Sequence, residues 1–201
     1  MMIEQGAADA VLSVSYHPKR EQNLHFTAEQ RAFARGGPCP PDYLWMSEYV
    51  LFVKNKDRER IAFESYQQLA ANGVRIGINK GYTYSADFPA LELKTTVYNS
   101  TREGFQALVN GDIDLYPMDR TVGLEELDAM GLLASIGYFP TRLFAKPYLA
   151  PFSKHSDYPD IELVMEQFNR ELRYMRASGE YQTIYHRHCR NFPLPTGATK
   201  E

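Results

Sequence analysis

Cysteine is scarce in this chain: Cys39 and Cys189 are the only two among 201 residues. A framework of several disulfides is therefore excluded. One bridge in an oxidising compartment and two separate thiols both stay open, because spacing alone cannot bring two Cα atoms within bonding reach. No apolar run is long enough to cross a bilayer. No basic stripe exceeds a few residues, which argues against a nucleic-acid partner. The first residues, MMIEQGAADAVLSV, have no basic stretch followed by an apolar core, so no signal peptide is visible. There is no Gly-rich phosphate loop and no nucleophile elbow. Asp112 and Asp114 are not read as paired carboxylates for acid–base work. No catalytic residue and no cofactor are therefore assigned.

What the chain does contain is an ordinary apolar fraction with many Tyr and Phe residues, enough for a sizeable core. The net charge is −3, with acids and bases interleaved. The length suits one large domain or two small lobes. The most informative stretch is 100–119, STREGFQALVNGDIDLYPMD. Ser100 and Glu103 have capping-box spacing, so a helix starts there. Phe105, Leu108 and Val109 share one face of it, and Asn110-Gly111 stops it. Ile113 and Leu115 then alternate as on a short strand. The stretch ends on Asp119, just past a strand's C-terminal end, where open α/β sheets bind ligands.

Elsewhere, residues 9–16, DAVLSVSY, read as a buried strand before the turn His17-Pro18-Lys19-Arg20. Residues 21–35 are polar and mixed, and GGPCPPDY (36–43) is loop. Strands are predicted over 49–54, 74–78 and 95–98, with short helices over 63–70 and 85–91. This alternation argues for an α/β layer with parallel strands. A helix within 124–133 ends near Gly131. The segment 143–150 is a mixed strand or crossover, since Pro147 cannot sit in a central, fully paired strand. Residues 159–177 form the clearest helix: Ile161, Val164, Met165, Phe168, Leu172 and Met175 recur along one stripe. Pro159 fits its first turn and Gly179 ends it. A short helix over 181–188 follows, then a loose tail. His186 and His188, with Cys189, sit at spacings that do not converge on a metal, and no metal site is assigned.

The order of these motifs resembles the periplasmic solute-binding proteins of the amino-acid-binding class, partners of ABC transporters. DAVLSVSYHPKR looks like their strand, hydroxyl-rich turn and arginine. VRIGINKGYTYS resembles their second-lobe strand, glycine turn and helix start. GFQALVNGDIDLYPMD is similar to their helix–Gly–strand–Asp segment, and YLAPFSKHSDYPDIELVMEQFNRELRYMRASGEYQTIYHRH resembles their C-terminal segment. The resemblance implies an α/β, two-lobed, type II periplasmic-binding-protein-like fold that is N-terminally incomplete. The first lobe would comprise 1–54 and 143–201, and the second lobe 55–142. Further strand–helix units that open the first lobe in the family have no counterpart before Ala8.

The resemblance also assigns residues. Arg20 matches the family's carboxylate-binding arginine, whose planar fork suits both oxygens of an α-carboxylate. By residue type alone, Arg20 is a surface arginine in the charged turn PKRE. Ser13 and Ser15 match positions offering a backbone group and a hydroxyl to the same carboxylate; otherwise they are a serine-containing strand end. His17 stands where relatives often carry threonine. Tyr82 and Thr83 lie at a helix start that attracts anions, or in an ordinary tight turn. Asp119 matches the aspartate that holds an α-ammonium; the alternative is a helix N-cap. Asp114 is read as structural. The implied function is non-enzymatic. A small polar solute, an amino acid, would be captured in an interlobe cleft and delivered to an ABC transporter permease by hinge closure, in the periplasm. Alternatives are a receptor's sensory domain, a non-binding remnant and, last, a small-molecule lyase. A homodimer that buries an incomplete lobe is a further expectation.

Overall fold

The structure, a computed structural model, describes residues 2–61, 63, 65–80 and 92–188. The expected helix over 85–91, the turn residues Tyr82 and Thr83, and Cys189 lie outside the described residues. In chain order the elements are β1 (Leu24–His25), α1 (Ala28–Ala34), β2 (Trp45–Lys54), α2 (Tyr66–Ala71), β3 (Arg75–Asn79), β4 (Lys94–Tyr98), α3 (Thr101–Asn110), β5 (Tyr116–Asp119), α4 (Arg120–Ala129), β6 (Ile136–Tyr138), β7 (Phe144–Tyr148), β8 (Phe152–Ser153), α5 (Ile161–Ser178) and α6 (Glu180–His188). They divide into two compact units. One holds 1–47 and 145–201, and the other holds 48–144.

In the unit 48–144, β2 is the central strand. It pairs antiparallel with β5, Tyr49 opposite Asp119 and Phe52 opposite Tyr116, and antiparallel with β6, Phe52 opposite Tyr138. Strands β3 and β4 pair in parallel. Ile76 of β3 forms a parallel bridge to Leu115, closed by Gly77 N–H donating to the Leu115 carbonyl at 2.9 Å. The layer is thus mixed rather than wholly parallel. The alternation rule speaks of consecutive strand–helix–strand units, and β5 is not β2's successor in the chain.

Period-two alternation sends β2 side chains to two buried faces. Tyr49, Leu51 and Val53 pack with Ile61, Leu69, Val74, Ile76, Leu93, Leu115 and Phe139. Val50 and Phe52 pack with Phe105, Leu108, Ile113, Tyr116, Met118, Leu127 and Ile136. Burying each such large side chain stabilises the fold by roughly 1.5–3 kcal/mol. Residues 48–54 of β2 lie in the unit 48–144, and its first three residues lie in the other unit. The strand also begins earlier, at Trp45, because Met46, Ser47 and Glu48 are themselves buried.

Helix α3 follows its sequence signals. The Ser100 hydroxyl accepts from Glu103 N–H at 3.2 Å, and the Glu103 carboxylate accepts from Asn99 N–H at 3.0 Å. Gly111 ends the helix at φ +84°. Ile113 and Leu115 are fully buried but precede the strand, which starts at Tyr116. Gly104 lets the Tyr116 ring lie against the helix backbone. The Tyr116 hydroxyl then donates to Asn79 Oδ1 at 2.5 Å, and Asn79 Nδ2 donates to Thr101 Oγ1 at 3.3 Å.

In the other unit, β1 and β8 form a two-stranded antiparallel sheet. Ile3, Leu24, Phe26 and Leu149 are its buried core, with Val11, Val14, Tyr16 and Tyr43 packed on them. Residues 9–16 are not a strand, contrary to expectation. They make isolated bridges from Ala10 to Phe152 and from Val14 to Leu149. Ser13 breaks the extended chain between them at φ +66°, a region that side chains disfavour, and Leu12 is exposed. Residues 21–35, read as merely polar, contain β1 and α1. A capping box starts α1: Thr27 Oγ1 accepts from Gln30 N–H at 3.2 Å, and Gln30 Oε1 accepts from Thr27 N–H at 3.0 Å. Helix α5 starts at Ile161, after Asp160 in the left-handed region, so Pro159 precedes the helix rather than opening it.

Gly104→Ala tests the Tyr116 packing. Alanine favours helices over glycine by up to about 1 kcal/mol, yet here its Cβ would overlap the Tyr116 ring. Urea unfolding is expected to show a net loss of about 1–3 kcal/mol.

Candidate functional site

The candidate residues of the unit 1–47 and 145–201 gather where the 14–22 segment meets the end of β7. Val14 N–H donates to the Leu149 carbonyl at 3.2 Å, and Leu149 N–H donates back at 3.0 Å. Ser15 follows directly and is buried. A short 3-10 turn, Pro18–Gln22, comes next, with Pro18 at its start and His17 Nδ1 accepting from Lys19 N–H at 3.2 Å. His17 therefore supplies a cap. The turn carries Arg20, whose Nη1 donates to the Ser15 carbonyl at 2.6 Å and to Ser15 Oγ at 3.2 Å. One nitrogen of the guanidinium is thus spent on holding its direction. No acidic side chain pairs with Arg20 among the described residues. Ser13 is half-buried at the left-handed turn.

Sequence reasoning missed Lys146 of β7. It is half-buried. Burial pushes its ammonium below the usual lysine range, and the charge of Arg20 pushes it further the same way. The available signal was a lysine inside the otherwise apolar FAKPYLA. Two residues on, Tyr148 packs edge-on against Trp45, with ring centroids 5.4 Å apart.

In the unit 48–144, Asp119 closes β5 and is buried. Its Oδ1 accepts from Val122 N–H at 3.0 Å, which makes it the N-cap of α4. That is why the helix begins at Arg120 and not near Leu124. An N-cap carboxylate is favoured by the positive end of the helix dipole. Glu125 of α4 is raised above the ordinary carboxylate range, by burial first and then by the negative charge of Asp119. Beside them, Glu48 of β2 is buried between two arginines. Its Oε2 is 3.0 Å from Arg120 Nη2 and its Oε1 is 3.3 Å from Arg142 Nη1. Two cations on one anion leave a surplus positive charge next to Asp119.

Asp114 takes a different part. Its carboxylate accepts two hydrogen bonds from the Arg75 guanidinium, both at 3.0 Å, and one from Arg75 N–H at 3.0 Å. Burial pushes the Asp114 carboxyl up, but these bonds and the Arg75 charge outweigh it and hold the group below the usual range. It ties β3 to the start of β5. Among the described residues, no three His, Cys, Asp or Glu side chains converge as a metal site needs. No described helix is long and apolar enough to cross a membrane. Cys39 is a free thiol, raised by burial.

No protein-family model matches the chain, and no curated protein matches it in sequence. Solved structures do. A histidine kinase sensor domain with similarity to periplasmic binding proteins superposes with a TM-score of 0.70 at 16% identity, over 96% of this chain and 75% of that one. A mutant of the arginine-binding protein from T. maritima gives 0.69 at 16% identity, over 92% of this chain and 71% of that one. The chain has the periplasmic-binding-protein fold. An ancestral arginine-binding protein bound to arginine matches as well, at 0.66 and 20% identity, over 92% of this chain and 74% of that one. In this fold, β2 and β7 are the strands through which the chain passes between its two units. They are tied by Leu44 N–H to the Tyr148 carbonyl at 2.7 Å and by Leu143 N–H to the Tyr49 carbonyl at 2.9 Å.

Two substitutions separate the roles of Asp119. Asp119→Ala removes the cap, and thermal or urea melts are expected to show a loss of about 0.5–2 kcal/mol. Asp119→Asn keeps an acceptor for Val122 N–H, so most of that stability is expected to remain. Asp114 gives a pH signature. Its folded-state value lies below its unfolded one, so its contribution is present above the ordinary aspartate range and is lost as pH falls through the depressed value. Asp114→Asn is expected to lower the melting temperature near neutrality and to flatten its decline below about pH 4.

Proposed function

We propose that this protein captures a small polar solute, an amino acid, and delivers it to an ABC transporter permease in the periplasm. Arg20, with Ser13 and Ser15 beside it, takes the α-carboxylate. Asp119 takes the α-ammonium, and Tyr82 and Thr83 supply further contacts to the ligand. Solute contacts on both units favour a closed state by as much as they differ from those of the open state, and the permease reads that state. No turnover of the ligand is involved. The observation that carries this reading is Arg20. Its guanidinium is aimed by Ser15 and lacks an acidic partner among the described residues. A fork held in this way has lost part of its freedom before any ligand arrives, which lowers the entropic cost of binding. The fold it sits on supports ligand binding as the role, since the matched structures include arginine-binding proteins.

A second reading is a sensory ligand-binding domain, favoured by the match to a histidine kinase sensor domain over 96% of the chain. Both readings share the binding step. They part in what adjoins it: a kinase or other signalling segment encoded in the same frame favours the sensor, and permease genes beside the frame favour transport.

Isothermal titration against a panel of amino acids tests the binding step. At least one member is expected to bind. Arg20→Ala and Asp119→Asn are each expected to weaken it about 10- to 100-fold, the value of a hydrogen bond to a charged group. Binding that neither substitution alters would overturn the assignment.

A further inference from the structure

The outer face of α5 carries a stripe that is complementary to itself. Leu163, Glu166, Gln167, Arg170 and Tyr174 stand at i, i+3, i+4, i+7 and i+11, so they share one face of the helix. The other side of α5 meets its own unit. Asn169 and Leu172 are buried there, and the Phe168 ring lies edge-on to Phe152, with centroids 5.9 Å apart. All five residues of the outer stripe are exposed, Leu163 by 51% and Tyr174 by 65%. These two leave apolar surface in water whose burial is favourable.

Glutamate four residues before arginine is the spacing at which a helix pairs the two within itself. Here it does not. The Arg170 guanidinium turns to Glu171, 3.0 Å away, and no cation pairs with Glu166 among the described residues. The stripe therefore reads apolar, acid, base, apolar. A two-fold axis reverses that order. It sets Glu166 of each copy opposite Arg170 of the other, and Leu163 opposite Tyr174. A groove of about 480 Å³ runs beside the stripe, lined by Thr27, the cap of α1, together with Leu163, Glu166 and Arg170. A tyrosine from a second copy suits such a recess, with its ring inward and its hydroxyl at the rim.

We propose that the outer face of α5 is the contact between two copies of this chain, packed antiparallel in an isologous dimer. A parallel pair would set acid against acid and base against base. A single helix pair is a small interface, so the dimer forms reversibly as protein concentration rises. None of these residues belongs to the proposed solute site, and the dimer stands or falls apart from it.

Sedimentation equilibrium of the full chain at increasing concentration tests this. The wild type is expected to associate to a dimer. Glu166→Arg and Arg170→Glu are each expected to weaken association about tenfold or more, because symmetry places the like charges opposite each other twice. Both positions are exposed, so each variant is expected to keep the wild-type circular dichroism. The two variants mixed together are expected to associate as the wild type does, since an all-basic stripe then meets an all-acidic one. Tyr174→Ala changes no charge and is expected to weaken the dimer as well; it serves if a reversed variant does not fold. A chain that stays monomeric overturns the proposal and leaves the stripe to solvent or to a different protein. Association that neither reversal nor Tyr174→Ala weakens, or that mixing the two reversed variants does not restore, overturns it too.

Discussion

The backbone ladder of β2 is the constraint on which the unit 48–144 depends. The strand is buried on both faces, so every residue in it is committed to one packing layer or the other. A slip of one residue would exchange the two layers and strand Glu48 among apolar side chains. In the observed register Tyr49 faces Asp119, and that pairing decides where the Asp119 carboxylate emerges. Helix α4 can then start on it, and Glu48 can meet Arg120 and Arg142. The candidate carboxylate is therefore positioned by hydrogen bonds that its own side chain does not make.

Like charges act on one another locally in each unit: after burial, the charge of Arg20 lowers Lys146, and that of Asp119 raises Glu125. Like charges in partly buried surroundings repel. Asp114, by contrast, is matched by Arg75 at close range, and its charge is consumed in holding β3 to the start of β5. The difference between a matched pair and a clustered charge is the physical basis for reading Asp114 as architecture and Arg20 as a binding group.

Much of the fold was legible because its signals are local. The cap of α3 at Ser100 and its stop at Gly111 stand where the residue types put them. The stop of α2 at Asn72-Gly73 and that of α5 at Gly179 do too. The capping box of α1 was equally local, and it went unread because residues 21–35 lack a long apolar stripe to accompany it. Residues 9–16 misled for the opposite reason. Their apolar pattern is strand-like, but the partners are two short bridges, and Ser13 turns the chain between them. Asp119 was legible as a carboxylate at a strand end. Its capping of α4 was an open alternative, since a carboxylate of that type suits either task.

The sequence by itself determined the start of α3 at Ser100, its stop at Gly111, and the stops of α2 and α5 at their glycines. Those properties follow from interactions spanning a few residues. Only the tertiary structure decided that β2 runs antiparallel to β5, that Glu48 is shared by two arginines, and that Val14 is bridged to Leu149. Each of these joins segments far apart in the chain. The residue types there are compatible with many partners, and packing selects one.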